Sequence, residues 1–109
     1  MLPFARITII GLGLIGSSLA RAIRAEMPTV RVTGHDADPA VRDIARRIDL
    51  CDDVTDTAGA SVTDADLVVL CVPVRVMGAA AADIADDLPA DAIISDVGSC
   101  KADVLAQLN

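Results

Sequence analysis

Ile7-Thr8-Ile9-Ile10-Gly11-Leu12-Gly13-Leu14-Ile15-Gly16-Ser17-Ser18-Leu19-Ala20 is the stretch that decides the fold of this chain. A short β-branched run enters a glycine turn, and an apolar period of 3.6 leaves it, so a strand, a tight bend and a helix are expected in that order. Gly11 suits the bend off the strand. Gly13 removes a side chain where the backbone must approach a ligand. Gly16 lets the helix lie close to the first strand. The free N–H groups and positive dipole end of that helix then form an anion site. Asp36 stands 20 residues beyond Gly16, the distance at which a dinucleotide-binding fingerprint carries an acid for the ribose diol.

Outward from this motif the chain alternates. The first strand is expected near Arg6 to Ile10 and the first helix near Leu14 to Glu26, with Ile15, Leu19, Ala22 and Ile23 on one face and Pro28 beyond its end. Val30 to His35 reads as a second strand. Asp38 caps a second helix with Pro39 at its first position, and Val41, Ile44, Ala45 and Ile48 form its apolar stripe. The Asp-rich stretch from Cys51 to Asp66 is the least periodic; it allows a short strand near Asp53 to Thr55 and a helical turn near Ala58 to Val62. Leu67 to Val72, a continuous apolar run, reads as a strand buried on both faces. A helix from Arg75 to Leu88 follows, then a strand from Ala92 to Asp96, a turn at Gly98-Ser99 and a last helix from Cys100 to Leu108. The pattern predicts one α/β domain over residues 1–109, a Rossmann-type doubly wound parallel sheet. Gly11 to Gly16, Asp36, Val72 to Val74 and Asp96 to Ser99 should share the edge at the strands' C-terminal ends, where such sheets bind ligands.

Composition narrows the function classes. The 109 residues are 53% hydrophobic with one Phe and no Trp or Tyr, so the core must be aliphatic. A net charge of −7 with no basic patch excludes nucleic acid as a partner. It would also repel an anionic cofactor, so a phosphate site must rely on local backbone amides. The apolar N-terminal run imitates a secretory signal, but its glycine spacing and the helical period continuing past Ala22 argue against one. It is too short for a membrane span. Cys51, Cys71 and Cys100 lack metal-ligand spacing and read as free thiols of a cytoplasmic protein. No metal site is expected. His35, the single histidine, lies at the adenosine end of the site, away from any hydride chemistry. The scattered aspartates read as solvated surface.

Asp36 is followed by Ala37, Asp38 and Pro39, with no cation before Arg42, so NAD is expected over NADP: a 2′-phosphate would meet like charge.

Three segments together carry a narrower resemblance: Gly11 to Ala20, Asp66-Leu-Val-Val-Leu-Cys-Val-Pro-Val74, and Ser95-Asp-Val-Gly-Ser-Cys-Lys101. The chain resembles the N-terminal domain of prephenate/arogenate (cyclohexadienyl) dehydrogenases over nearly its whole length. The Asp96 to Lys101 segment is the most specific of the three, and Cys100 stands there where the family usually has a small aliphatic residue. The resemblance implies oxidative decarboxylation of prephenate or arogenate, with NAD accepting the hydride, in tyrosine biosynthesis. It implies that Gly11, Gly13, Leu14, Ile15 and Gly16 hold the pyrophosphate and Asp36 the ribose. Val72 and Pro73 would meet the nicotinamide-side ribose, and Ser99 the substrate hydroxyl and the catalytic histidine. It also implies a His-Pro segment, a substrate arginine and dimer-forming helices beyond residue 109. The chain is therefore expected to be the cofactor half of a two-domain, homodimeric enzyme, binding NAD without turning over prephenate. Two alternatives stand beside it: the NAD-binding half of another two-domain dehydrogenase, and a stand-alone NAD-binding module.

Overall fold

The computed structural model describes residues 4–96. Nine elements alternate in it: β1 (Arg6–Ile10), α1 (Leu14–Glu26), β2 (Arg31–His35), α2 (Pro39–Arg47), β3 (Asp53–Val54), α3 (Ala58–Val62), β4 (Leu67–Leu70), α4 (Val74–Ile84) and β5 (Ile93–Asp96). The expected turn at Gly98-Ser99 and the helix from Cys100 to Leu108 lie outside the described residues.

The five strands form one parallel sheet in the order β3-β2-β1-β4-β5. β1 is central, with Ile7 level with Val32 on one side and with Leu67 on the other. Side chains alternate across it, as the period of two in a strand requires. Ile7, Ile9, Val32, Leu67 and Val69 face a core closed by Leu19, Ala20 and Ile23 of α1 and Ala45 of α2. Ile10, Val68 and Leu70 face a second, smaller core closed by Val62 of α3 and Ile84 of α4. Thr8 also points to that second face; its buried hydroxyl donates to the Ser61 carbonyl and ties β1 to α3. The result is the doubly wound, three-layered α/β arrangement that the alternating pattern requires.

The structure redraws several of the expected apolar faces. In α1 the buried set is Gly16, Leu19, Ala20 and Ile23, whereas Ile15 is 50% exposed. The helix approaches the sheet at Gly16, which turns Ile15 outward. In α2 only Ala45 is buried, while Ile44 and Ile48 are half exposed. That helix lies against a two-residue edge strand, too short to cover an apolar stripe. α4 stops at Ile84 rather than Leu88: the Ala85 N–H donates to the Ala82 carbonyl and the Asp87 N–H to the Ile84 carbonyl. These i→i+3 bonds tighten the last turn well before Pro89. β4 ends at Leu70, leaving Val72 outside the strand.

Of the aspartates of the 52–66 stretch, Asp53, Asp56 and Asp64 stay at the exposed surface as expected, whereas Asp52 and Asp66 are tied to the backbone. Asp52 accepts from the Val32 N–H at 2.7 Å, and Asp66 accepts from the N–H groups of Ala5 and Arg6. Asp56 holds Arg46 at 2.6 Å and lies 3.4 Å from Arg42 Nε.

Candidate functional site

At the C-terminal edge of the sheet the chain runs outward from β1 to β2 and β3, then returns to β4 on β1's other side. The strand order reverses there, and the connections on the two sides diverge, which opens a crevice. Gly11, Gly13, His35, Asp36, Val72 and Pro73 line this cleft of about 450 Å³, within the range of small-molecule sites.

Three glycines shape the turn at this cleft, each for a different reason, and Gly11 and Gly13 line it. Gly11 has φ +99°, a region L side chains rarely adopt, and a Cβ there would lie 2.5 Å from the Cys71 carbonyl oxygen. Its N–H donates to the His35 carbonyl at 2.7 Å, which pins the turn to the end of β2. A Cβ on Gly16 would lie 1.9 Å from the Gly11 carbonyl oxygen, so α1 can touch the turn only because residue 16 has no side chain. A Cβ on Gly13 would meet nothing within 4 Å. The space beside Gly13 belongs to the cleft.

Gly13 is also the N-cap of α1, and no side chain caps that helix. Nor does the first turn contain an acidic residue. The amides of Leu14, Ile15 and Gly16 are the orphan donors of a helix start, and together with the helix dipole they can hold a diphosphate. Leu14 and Ile15 enter through these backbone groups, since their side chains are 85% and 50% exposed. α4 begins beside the same cleft at Pro73, again without a side-chain cap.

Asp36 lies just past β2, half-buried. One carboxylate oxygen accepts from the Leu12 N–H at 2.8 Å and the other from the Asp38 N–H at 2.9 Å. It therefore braces the glycine turn from outside while bordering the cleft. Each oxygen keeps a further lone pair for a diol. Asp38 separately caps α2 by accepting from the Ala40 N–H. Arg42, the nearest cation in sequence, is turned to the back of this corner: its guanidinium donates to the carbonyls of Asp36 and Ala37. His35 is buried, its Nδ1 2.9 Å from the Thr55 carbonyl, a structural position.

The structure thus brings Gly11, Gly13, Asp36, Val72 and Pro73 to one cleft; Leu14, Ile15 and Gly16 follow Gly13 at the start of α1 and are not among the lining residues, and Ser99 lies outside the described residues. Sequence reasoning missed the far wall: Ala58 at the start of α3, and Val76, Ala79, Ala80 and Asp83 along α4. The signal available was the Gly78-Ala79-Ala80-Ala81-Ala82 run, a helix surface kept small. Burial holds the Cys51 thiol protonated up to about 11, so it is inert.

Comparison with known proteins agrees with this fold. The family model of the prephenate dehydrogenase nucleotide-binding domain matches residues 19–109. The match begins after the glycine turn, so the turn is a separate observation. A cyclohexadienyl dehydrogenase from Zymomonas mobilis is 53% identical over 99% of this chain and 37% of its own length. A prephenate dehydrogenase from Lactococcus lactis is 34% identical over 95% of this chain and 29% of its own. The chain thus spans about a third of the length of these relatives. Among solved structures, prephenate dehydrogenase from A. aeolicus, in complex with hydroxyphenyl propionate and NAD+, superimposes with a TM-score of 0.78. The identity is 29% over 87% of this chain and 34% of that one. An arogenate dehydrogenase from Synechocystis gives 0.76 at 25% identity, over 84% and 32%. A parallel sheet with a glycine-lined cleft at its switch point, and a family match over most of the chain, lead to one statement: the chain belongs to the family of prephenate dehydrogenase nucleotide-binding domains.

Proposed function

We propose that residues 1–109 are the NAD-binding domain of a prephenate or arogenate dehydrogenase. The observation that carries this is the vacant space at Gly13 beside the uncapped start of α1, with the Asp36 carboxylate at the same cleft. The amides at Leu14, Ile15 and Gly16 take the pyrophosphate, and Asp36 takes the adenosine ribose hydroxyls. Val72 and Pro73 border the path toward the nicotinamide, which when bound supplies the hydride acceptor for oxidative decarboxylation. Ser99 follows β5 closely in sequence and is assigned to the substrate hydroxyl. The reaction itself belongs to the whole enzyme: a second, C-terminal domain brings the general base, the substrate-binding groups and the dimer interface. Among the described residues no helix is long and apolar enough to cross a membrane. The buried free thiol of Cys51 suits a reducing cytoplasm.

Calorimetric titration of the chain with NAD and NADP, side by side, tests the reading. NAD is expected to bind more tightly, and Asp36→Ala to weaken NAD about tenfold while narrowing the gap to NADP. Absence of NAD binding would overturn the assignment; equal binding of the two cofactors would remove Asp36 as the selector.

A further inference from the structure

We propose that Asp83 reads the 6-amino group of the adenine ring, a role that rests on the NAD-binding reading above. With the pyrophosphate at the glycine turn and the ribose at Asp36, the base is left the far end of the cleft. The walls there are Ala58 from α3 and Val76, Ala79 and Ala80 from α4. These are small apolar side chains, a surface on which a flat ring can lie without displacing anything. Asp83 is the polar side chain at that end, one helical turn beyond Ala79 and Ala80.

Its carboxylate makes no hydrogen bond or ion pair among the described residues. The cleft's other carboxylate, Asp36, is already engaged by two backbone amides. An ionised carboxylate only accepts hydrogen bonds. It therefore favours a purine that offers an N–H donor at position 6 and opposes one that offers a carbonyl oxygen there. Hypoxanthine is nearly the same shape but carries a carbonyl oxygen at position 6 and its N–H on the neighbouring ring nitrogen N1, so a carboxylate set in line with position 6 distinguishes the two. Asp83 would thus make the site selective among dinucleotides by their base, as Asp36 does by their sugar.

The probe is nicotinamide hypoxanthine dinucleotide, titrated against NAD on the full 109-residue chain. The unaltered protein should prefer NAD about tenfold, the size of one charge-assisted hydrogen bond partly open to solvent. Asp83→Ala should bring the two ligands within twofold by weakening NAD. Asp83→Asn should also equalise them, by strengthening the hypoxanthine ligand, because its amide can turn either an acceptor or a donor to position 6. Binding of both ligands with equal affinity by the unaltered chain would overturn the role of Asp83 and leave the NAD reading intact, as would an undiminished preference in Asp83→Ala. Failure to bind either ligand would instead overturn the NAD reading, and this proposal with it.

Discussion

Replacing Gly16 with alanine puts a Cβ 1.9 Å from the carbonyl oxygen of Gly11 and 3.0 Å from its carbon. Both atoms are backbone, held by the Gly11 N–H bond to His35 and by the start of α1, so no side chain can swing aside. The helix must back away by about 1 Å or more before the contact is tolerable, and it carries Leu19, Ala20 and Ile23 with it out of a close-packed core. Such overpacking costs about 3 kcal/mol, the upper part of its usual range, because the obstacle is rigid. Gly13→Ala should behave in the opposite way. Its Cβ meets nothing within 4 Å, and its φ of −71° with ψ of −160° is extended backbone. The poorer cap and the stiffer unfolded chain oppose each other, so stability should change by less than about 1 kcal/mol. The new methyl nevertheless fills the space a pyrophosphate needs, and NAD affinity should fall at least about tenfold. The chain has no Trp or Tyr, so unfolding is best followed in urea by far-UV circular dichroism. Gly16→Ala should lower the midpoint by about 1–3 M, and Gly13→Ala by no more than about a third of that. A Gly16→Ala protein as stable as its parent would refute the close-approach argument. A Gly13→Ala protein that binds NAD normally would refute the placement of the diphosphate.

The Cys51 thiol, 4% exposed, has its pKa raised by burial from 9.0 to about 11. The folded state therefore keeps a proton that the unfolded chain gives up, and the stability this adds is complete below pH 9 and lost as pH rises toward 11. Lys101 is the one lysine and there is no tyrosine, so few other groups titrate in this window. Urea midpoints should fall there by the equivalent of about 2–3 kcal/mol, and Cys51→Ala should flatten the fall. At the acid end, the Arg46 guanidinium bonded to Asp56 holds that carboxyl below its ordinary value of 3.8. Its contribution is present above that value and lost as pH falls through the lowered one; Asp56→Asn should make the acid limb of the stability curve shallower. Among the described residues no Lys or Arg lines the cleft, and the net charge is −7. Salt between 0.05 and 0.5 M should thus leave NAD affinity unchanged or tighten it by screening repulsion, whereas marked weakening, read by calorimetry, would point to a cation in the site.

The order of strands and helices was legible because Ile7 to Ile10 and Leu67 to Leu70 are short apolar runs, rich in β-branched residues and bounded by turn residues, whereas the segment from Leu14 to Glu26 is long enough to show a period of 3.6. The glycine turn was legible because its letters fall at the spacing a strand-to-helix bend needs. What periodicity does not encode is how much of a face the neighbours cover. Ile44 and Ile48 fit a buried stripe in sequence, yet they sit over an edge strand of two residues and stay half exposed. Asp36 was legible as an acid at the right place, but not as a brace for the Leu12 amide, because that bond joins residues 24 apart. The far wall of the cleft escaped for the same reason: Ala58 and Asp83 become neighbours of Asp36 only when α3 and α4 pack on one face of the sheet.

The three glycines of one motif also show where sequence reading stops short of chemistry. They are the same letter, yet one answers to a backbone angle, one to a contact inside the protein, and one to space left for something else. Only the third speaks directly of a ligand. In the described cleft, donors come from backbone amides at the start of α1 and acceptors from Asp36 and Asp83. A ligand that fits must present acceptors at its middle and donors at its sugar and base. A dinucleotide carrying phosphate oxygens, ribose hydroxyls and an amino-purine has that polarity along its length, and a 2′-phosphate would reverse it at Asp36. On the proposed reading, cofactor choice in this fold is thus written less in net charge than in the sequence of donors and acceptors met along the cleft.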